Sequence, residues 1–199
     1  MTTQQALLAE EIRRLIEVAV CTGADEQQLA VATERIRSVT ASLNAQRTSG
    51  PGSDVRSLTF HNPVQGAGNP LAPPLTPFGG GDGVVTARVR FGVVHQGAPG
   101  RVHGGWLAAV LDHAVGHAVA SAGWPAMTVS LSVEYHHGTP FDKDLDVEAA
   151  FVGKDGRKVY ATAKLRAEGS VTVTASAVMV TVEGLLDGGN GAAENAAQA

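Results

Sequence analysis

The stretch His103-Gly104-Gly105-Trp106-Leu107-Ala108-Ala109-Val110-Leu111-Asp112-His113-Ala114-Val115-Gly116-His117-Ala118-Val119-Ala120 decides the fold, because it is the one helical pattern in a half of the chain otherwise patterned for strands. At about 100° per residue, Leu107, Val110, Leu111, Ala114 and Ala118 gather on a broad apolar face, which predicts burial against a sheet. Gly105, Ala108, Ala109, Asp112 and Gly116 gather on the opposite arc, a stripe of very small residues holding one carboxylate. Small residues admit close approach to the backbone, and two readings stand. Either the stripe packs on a second helix or subunit, with Asp112 paired to a neighbouring donor, or it lines a site in which Asp112 acts. At the helix start, Pro99-Gly100 and Gly104-Gly105 flank His103. First-turn N–H groups at such a start suit a developing oxyanion, and the same residues also make an ordinary turn.

Outward from this helix the period changes to two. Val85, Ala87, Val89, Phe91 and Val93 alternate with smaller or polar residues before it. After it, Val129, Leu131, Val133 and Tyr135 alternate with Ser130, Ser132 and Glu134. Leu145, Val147, Ala149 and Phe151 follow, then the turn Lys154-Asp155-Gly156-Arg157, then Val159, Ala161, Ala163 and Leu165, and a last strand over Val171 to Val182. One strand, one helix and four strands with hairpin-type turns predict an α+β fold, an antiparallel sheet with a single long helix on one face.

The rest of the chain is read as three further segments. Residues 1–48 carry helical spacing over Gln4 to Cys21 and Asp25 to Ala45, broken at Thr22-Gly23, with charges balanced as on a solvated face; a partner-binding helical hairpin is the second reading. Residues 49–83 hold six of the nine prolines and end in Gly79-Gly80-Gly81, the composition of a connecting loop that covers or pads a surface of the fold. Residues 84–183 form the sheet domain, and residues 184–199 read as a disordered tail.

Composition narrows the function classes. Of 199 residues, 44% are hydrophobic and 17% charged, the balance of a globular chain, and a net charge of −4 without a basic block argues against nucleic acid as partner. Cys21 is the lone cysteine and the N-terminus lacks signal-peptide layout, so the expectation is a cytoplasmic protein. No run of about 20 apolar residues predicts a membrane span. His113 and His117 stand at i, i+4, but no third ligand has a supporting spacing; both are read as polar-edge histidines beside Trp106, and no metal is predicted. No GxSxG elbow or phosphate-binding loop occurs.

The run Gln96-Gly97-Ala98-Pro99-Gly100-Arg101-Val102-His103-Gly104-Gly105, followed by Leu107-Ala108-Ala109-Val110-Leu111-Asp112, resembles the signature of hotdog-fold acyl-CoA thioesterases of the phenylacetyl-CoA and 4-hydroxybenzoyl-CoA thioesterase-like superfamily. Met127 to Tyr135 and Asp155-Gly156-Arg157-Lys158 are also similar to that pattern. The resemblance implies a hotdog fold, a sheet wrapped around a central helix, with the N-terminal helices as an extension. It implies hydrolysis of an acyl- or aryl-CoA without a cofactor, at sites on the interface of a homodimer or homotetramer. Asp112 is then the base or nucleophile, the Gly104 N–H the donor to the thioester carbonyl, and His103 the residue shaping the turn. Thr128, from across the interface, holds the water, Gln96 lies near the thioester, and Arg157, Lys158 and Gly105 contact coenzyme A. One helix supplies both donor and carboxylate to the groove in this reading. Two alternatives accompany it. One is a non-catalytic acyl-CoA binding or sensing protein. The other is an acyl-CoA hydratase, in which Asp112 and His117 have the spacing but Ala114-Val115 replaces Asn-Pro and a five-residue offset turns His117 about 140° away.

Overall fold

The computed structural model describes residues 3–50 and 54–182; the expected tail, and the end of the sheet domain at 183, lie outside the described residues. Helices α1 (Gln4–Cys21) and α2 (Glu26–Asn44) lead into a short helix α3 (Val55–Phe60). The strands are β1 (Gly79–Gly81), β2 (Val84–Arg90), β3 (Ala126–Tyr135), β4 (Asp144–Asp155), β5 (Lys158–Ala167) and β6 (Ser170–Thr181), with α4 (Gly104–Ser121) between β2 and β3. All six strands pair antiparallel in the order β1-β2-β4-β5-β6-β3. The sheet curls around α4 in the hotdog arrangement.

Packing explains that arrangement. Leu107, Val110, Leu111, Ala114, Val115, Ala118 and Val119 of α4 are buried against the inward residues of β2, β4, β5 and β6. Where the helix crosses, the paired inward residues are alanines: Ala149 faces Ala163, which faces Ala175, and Ala161 faces Ala177. These short side chains form a trough that brings the helix axis close to the sheet, while Leu145, Leu165, Val159 and Met179 close its ends.

Two features depart from the sequence reading. The stretch expected to be a plain loop contains α3 and β1 and is tied down along its length. The Asn62 carboxamide oxygen accepts from the Val64 and Gln65 amides, Asn69 Nδ2 donates to the His61 carbonyl, and Leu75 bridges Val89. Along β3 the alternation is broken by a bulge between Thr128 and Ser130. Val129, expected inward, is 61% exposed because the extra residue turns it out of the pleat. Among the described residues, strand β3 is also a ten-residue edge paired with β6 alone.

Candidate active site

Helix α4 starts where the type II turn Ala98-Pro99-Gly100-Arg101 folds the chain back; Gly100 takes φ 73°, which glycine adopts at little cost. Gln96 pairs with Val102 in this hairpin, directly before His103. The His103 ring caps the helix, its Nδ1 accepting from the Gly105 N–H at 3.0 Å, which leaves the ring proton on Nε2. Gly105, expected to contact coenzyme A, therefore has its amide occupied. The Gly104 N–H meets no acceptor among the described residues, and the Gly104 carbonyl accepts from the Tyr135 hydroxyl at 3.0 Å. A Cβ at position 104 would lie 3.1 Å from the Tyr135 ring, so glycine lets this ring close on the start of α4.

Two turns along, Asp112 lies in an open hollow of about 440 Å³ with Ala108, Ala109, Thr128, Val129, Ser130 and Leu131. Its Oδ1 is buried without a hydrogen-bond partner, a state that ordinarily costs about 1–3 kcal/mol. The β3 bulge explains why four consecutive residues line the hollow, and it adds Ser130, which strict alternation had placed among the solvent-facing residues. The irregularity that puts it there has no signature in residue spacing.

Two expectations change here. Thr128 was expected from the partner subunit, yet it shares the hollow with Asp112 in one chain. Gly104 and Asp112 were expected to serve one groove from one helix. Eight residues at 1.5 Å rise, however, separate them by about 12 Å, too far for both to touch one carbonyl.

Arg157 and Lys158 sit at the β4–β5 turn, where Gly156 has φ 54°. Lys158 is aligned through Val180 with Met127, next to the row holding Thr128, so the basic pair belongs to the Asp112 end of α4 and not to its start. Neither side chain makes an ion pair among the described residues.

The histidines occupy a different flank. His113 and His117 do not lie beside Trp106, whose ring packs edge-on against His95, with centroids 4.8 Å apart. They lie under the Pro/Gly segment, where His113 Nε2 is 3.3 Å from Gln65 Oε1 and His117 stacks on Phe78 at 4.6 Å. Burial, with the neighbouring His117 charge, pushes the His113 pKa down to about 4, and burial also lowers that of His117. Burial likewise lowers the pKa of His95, wedged between Phe91 and Trp106. Among the described residues no three His, Cys, Asp or Glu side chains group as metal ligands, and no helix is long and apolar enough to cross a membrane.

The family model described as the thioesterase superfamily matches residues 99–174, which contain the α4 start, Asp112 and Thr128. A thioesterase superfamily protein of known crystal structure is 31% identical, with 89% of this chain and 95% of that chain covered and a TM-score of 0.83. That coverage exceeds the sheet domain and so takes in much of the helical segment. A thioesterase protein of Streptococcus pneumoniae solved with coenzyme A is 21% identical over 53% of this chain and 87% of that chain, at a TM-score of 0.51. Zebra fish thioesterase superfamily member 2 is 17% identical over 66% and 100%, at 0.54. The latter two share the fold. Variant structures of the Streptococcus pneumoniae protein replace an aspartate and a threonine, sixteen positions apart, by alanine. No curated protein matches the chain.

Proposed function

Because this chain belongs to the thioesterase superfamily, we propose that it hydrolyses an acyl- or aryl-CoA thioester to the free acid and coenzyme A, with Asp112 as base or nucleophile. The observation that carries this reading is Asp112 in the lining of an open hollow shared with Thr128 and Ser130, its carboxylate held with Oδ1 buried and no hydrogen-bond partner supplied by the chain. A carboxylate left short of a partner at a groove is poised to accept a proton from water. Asp112 and Thr128 are also sixteen positions apart, the separation of the two residues replaced in the Streptococcus pneumoniae protein.

In the water route, Asp112 takes a proton as the water oxygen bonds to the thioester carbon. The carbonyl electrons move to oxygen, where a Gly104 N–H at the positive end of α4 stabilises the oxyanion. Collapse breaks the C–S bond, and the departing thiolate takes the proton. The nucleophilic alternative begins with attack by the Asp112 oxygen itself and ends in the same products. Thr128 holds the water beside Asp112, while Gln96 and His103 shape the start of α4. Arg157 and Lys158, at the β4–β5 turn and without an ion-pair partner among the described residues, are the basic residues assigned to the coenzyme A phosphates.

The 12 Å spacing along α4 supports a site whose donor and carboxylate come from different copies. A homodimer with α4 helices facing in opposite directions brings Gly104 of one protomer toward Asp112 of the other, and the β3 edge offers a place to join.

Thiol release from a panel of acyl-CoAs tests the activity. Wild type should release thiol, and Asp112→Asn should lower the rate at least 100-fold; binding without release would make the protein an acyl-CoA sensor instead. Shared sites are tested with Gly104→Pro, which removes the N–H at the first helical position, where proline's backbone fits, with a thermal melt to confirm that the Tyr135 ring yields to the added atoms. Co-refolding it with Asp112→Asn should restore part of the activity that neither variant has alone. Failure of the mixture, with both variants folded, would place the site within one chain.

A further inference from the structure

We infer that the cavity between α1, residues 70–74 and the start of α4 receives the acyl group of the thioester, and that Ile16 and Leu71, both outside the sheet domain, limit it to a medium acyl group such as octanoyl. The inference rests on the thioesterase reading above and extends it to the part of the substrate that reading leaves open.

Helix α1 makes the first wall. Ala6, Ala9, Arg13, Ile16 and Glu17 recur at three- and four-residue steps on one face. The two alanines are buried, and the helix touches the 3₁₀ turn Val93–His95. The longer side chains act as props. Arg13 Nη1 donates to the Asn69 carbonyl at 3.2 Å, and Glu17 Oε1 lies 3.1 Å from where a Cβ on Gly92 would be. Beside them is a cavity of about 570 Å³, within the ~300–1,000 Å³ that takes a small ligand.

The second wall is fixed as well. The Pro74 carbonyl accepts from the Arg90 N–H at 3.1 Å and the Ala72 N–H donates to the Asn69 carbonyl at 3.2 Å. Proline at 70 and 74 sets φ, so Leu71 and Ala72 line the cavity from a stiff segment. Val94, His95 and Trp106 form the third wall. His95 Nδ1 is 3.3 Å from the Gly92 carbonyl and burial favours its uncharged ring, so this wall suits an apolar group.

The position of the cavity connects it to the reacting carbonyl. Trp106 follows Gly104 by two residues, about 5 Å between Cα atoms, and projects about 120° round α4 from Asp112. The His95 carbonyl accepts from the His103 N–H at 2.8 Å, which ties the third wall to the residue before Gly104. On the β3 side Tyr135 closes the helix start through its bond to the Gly104 carbonyl. An acyl group whose carbonyl is on the Gly104 N–H is therefore directed past Trp106, away from the carboxylate flank. The lining also limits its length. Glu10, Glu17 and Asp142 share the cavity and make no ion pair among the described residues, so a long alkyl chain would strip water from carboxylates. Trp106 apart, the apolar walls precede residue 99, where the family match begins.

Relative rates on the full chain test this. Wild type should turn over octanoyl-CoA with a higher kcat/KM than palmitoyl-CoA. Ile16 and Leu71 are 40% and 55% exposed, so a larger side chain is tolerated at either. Ile16→Trp and Leu71→Trp, checked by thermal melts, should each lower kcat/KM for octanoyl-CoA relative to acetyl-CoA at least tenfold, the scale of lost methylene contacts. Binding separates this inference from the catalytic one. If no thiol is released, calorimetry should still find octanoyl-CoA bound more tightly than coenzyme A, and both variants should lose that gain. An unchanged ratio or gain in the two folded variants would overturn the acyl pocket and leave thioester hydrolysis standing. Palmitoyl-CoA turned over as well as octanoyl-CoA, or octanoyl-CoA bound no more tightly than coenzyme A, would overturn it too.

Discussion

Two flanks of α4 lie about one helix-quarter apart and treat their polar residues in opposite ways. On one, His113 and His117 are roofed by the Pro/Gly segment, stacked on Phe78 and matched to Gln65. On the other, Asp112 lies beside Ala108 and Ala109 in an open hollow, with one oxygen unmatched. The histidines have given up their charge to burial, whereas the carboxylate faces a hollow wide enough for a reactant. Polar residues on the same helix thus separate into those whose needs the chain meets and one whose needs it leaves to something else.

The largest expected effect lies on the open flank. Asp112→Asn should cut thiol release by 100-fold or more, the scale of a lost general base, while changing stability by less than about 1 kcal/mol, since no bond within the chain is lost. Thermal melts beside the activity assay check both halves. A large drop in melting temperature would mean that Asp112 supports the fold and that the two flanks are alike.

The covered flank should respond to pH instead. An unfolded histidine takes up its proton near 6.5, while folded His113 does so only near 4. Between these values the unfolded chain binds more protons, so stability falls as pH drops from 6.5 toward 4 and then levels off. The loss from this one group amounts to at most about 3 kcal/mol. Denaturant melts at pH 7.5 and pH 4.5 should show it, and His113→Leu should flatten the difference. An unchanged slope in His113→Leu would mean that other groups carry the acid sensitivity.

This contrast was only partly legible in the sequence. Alternation over Leu145 to Phe151 and Val159 to Leu165 marks strands because one face of each is buried, and α4 announces its buried face by helical spacing. The position of the histidines was misread, because what roofs them arrives from residues 65 and 78 through side-chain hydrogen bonds and ring stacking that leave no periodic trace. The β3 bulge is equally silent in Met127-Thr128-Val129-Ser130, whose residues suit a regular strand as well as a broken one. Asp112 stood out as a lone carboxylate in a small-residue stripe, but its sharing of one hollow with Thr128, Val129, Ser130 and Leu131 rests on the bulge.

The smallest effect sharpens the comparison most, because it asks what finally covers the open flank. Gly116 lies in the interior of α4 on the Asp112 side, and a Cβ built there meets nothing within 4 Å. Glycine at such a position weakens a helix by roughly 0.5–1 kcal/mol relative to alanine. Gly116→Ala should therefore stabilise the chain by about that amount, in contrast to Gly104→Ala, whose Cβ would crowd the Tyr135 ring at 3.1 Å. If the acyl-CoA lies along the small-residue strip, Gly116→Ala should also raise KM more than it lowers kcat, because the methyl group narrows the groove without touching Asp112. A loss of stability in place of the gain would show that a second subunit already packs closely on the strip, and the substrate path would then run along the β3 side of Asp112.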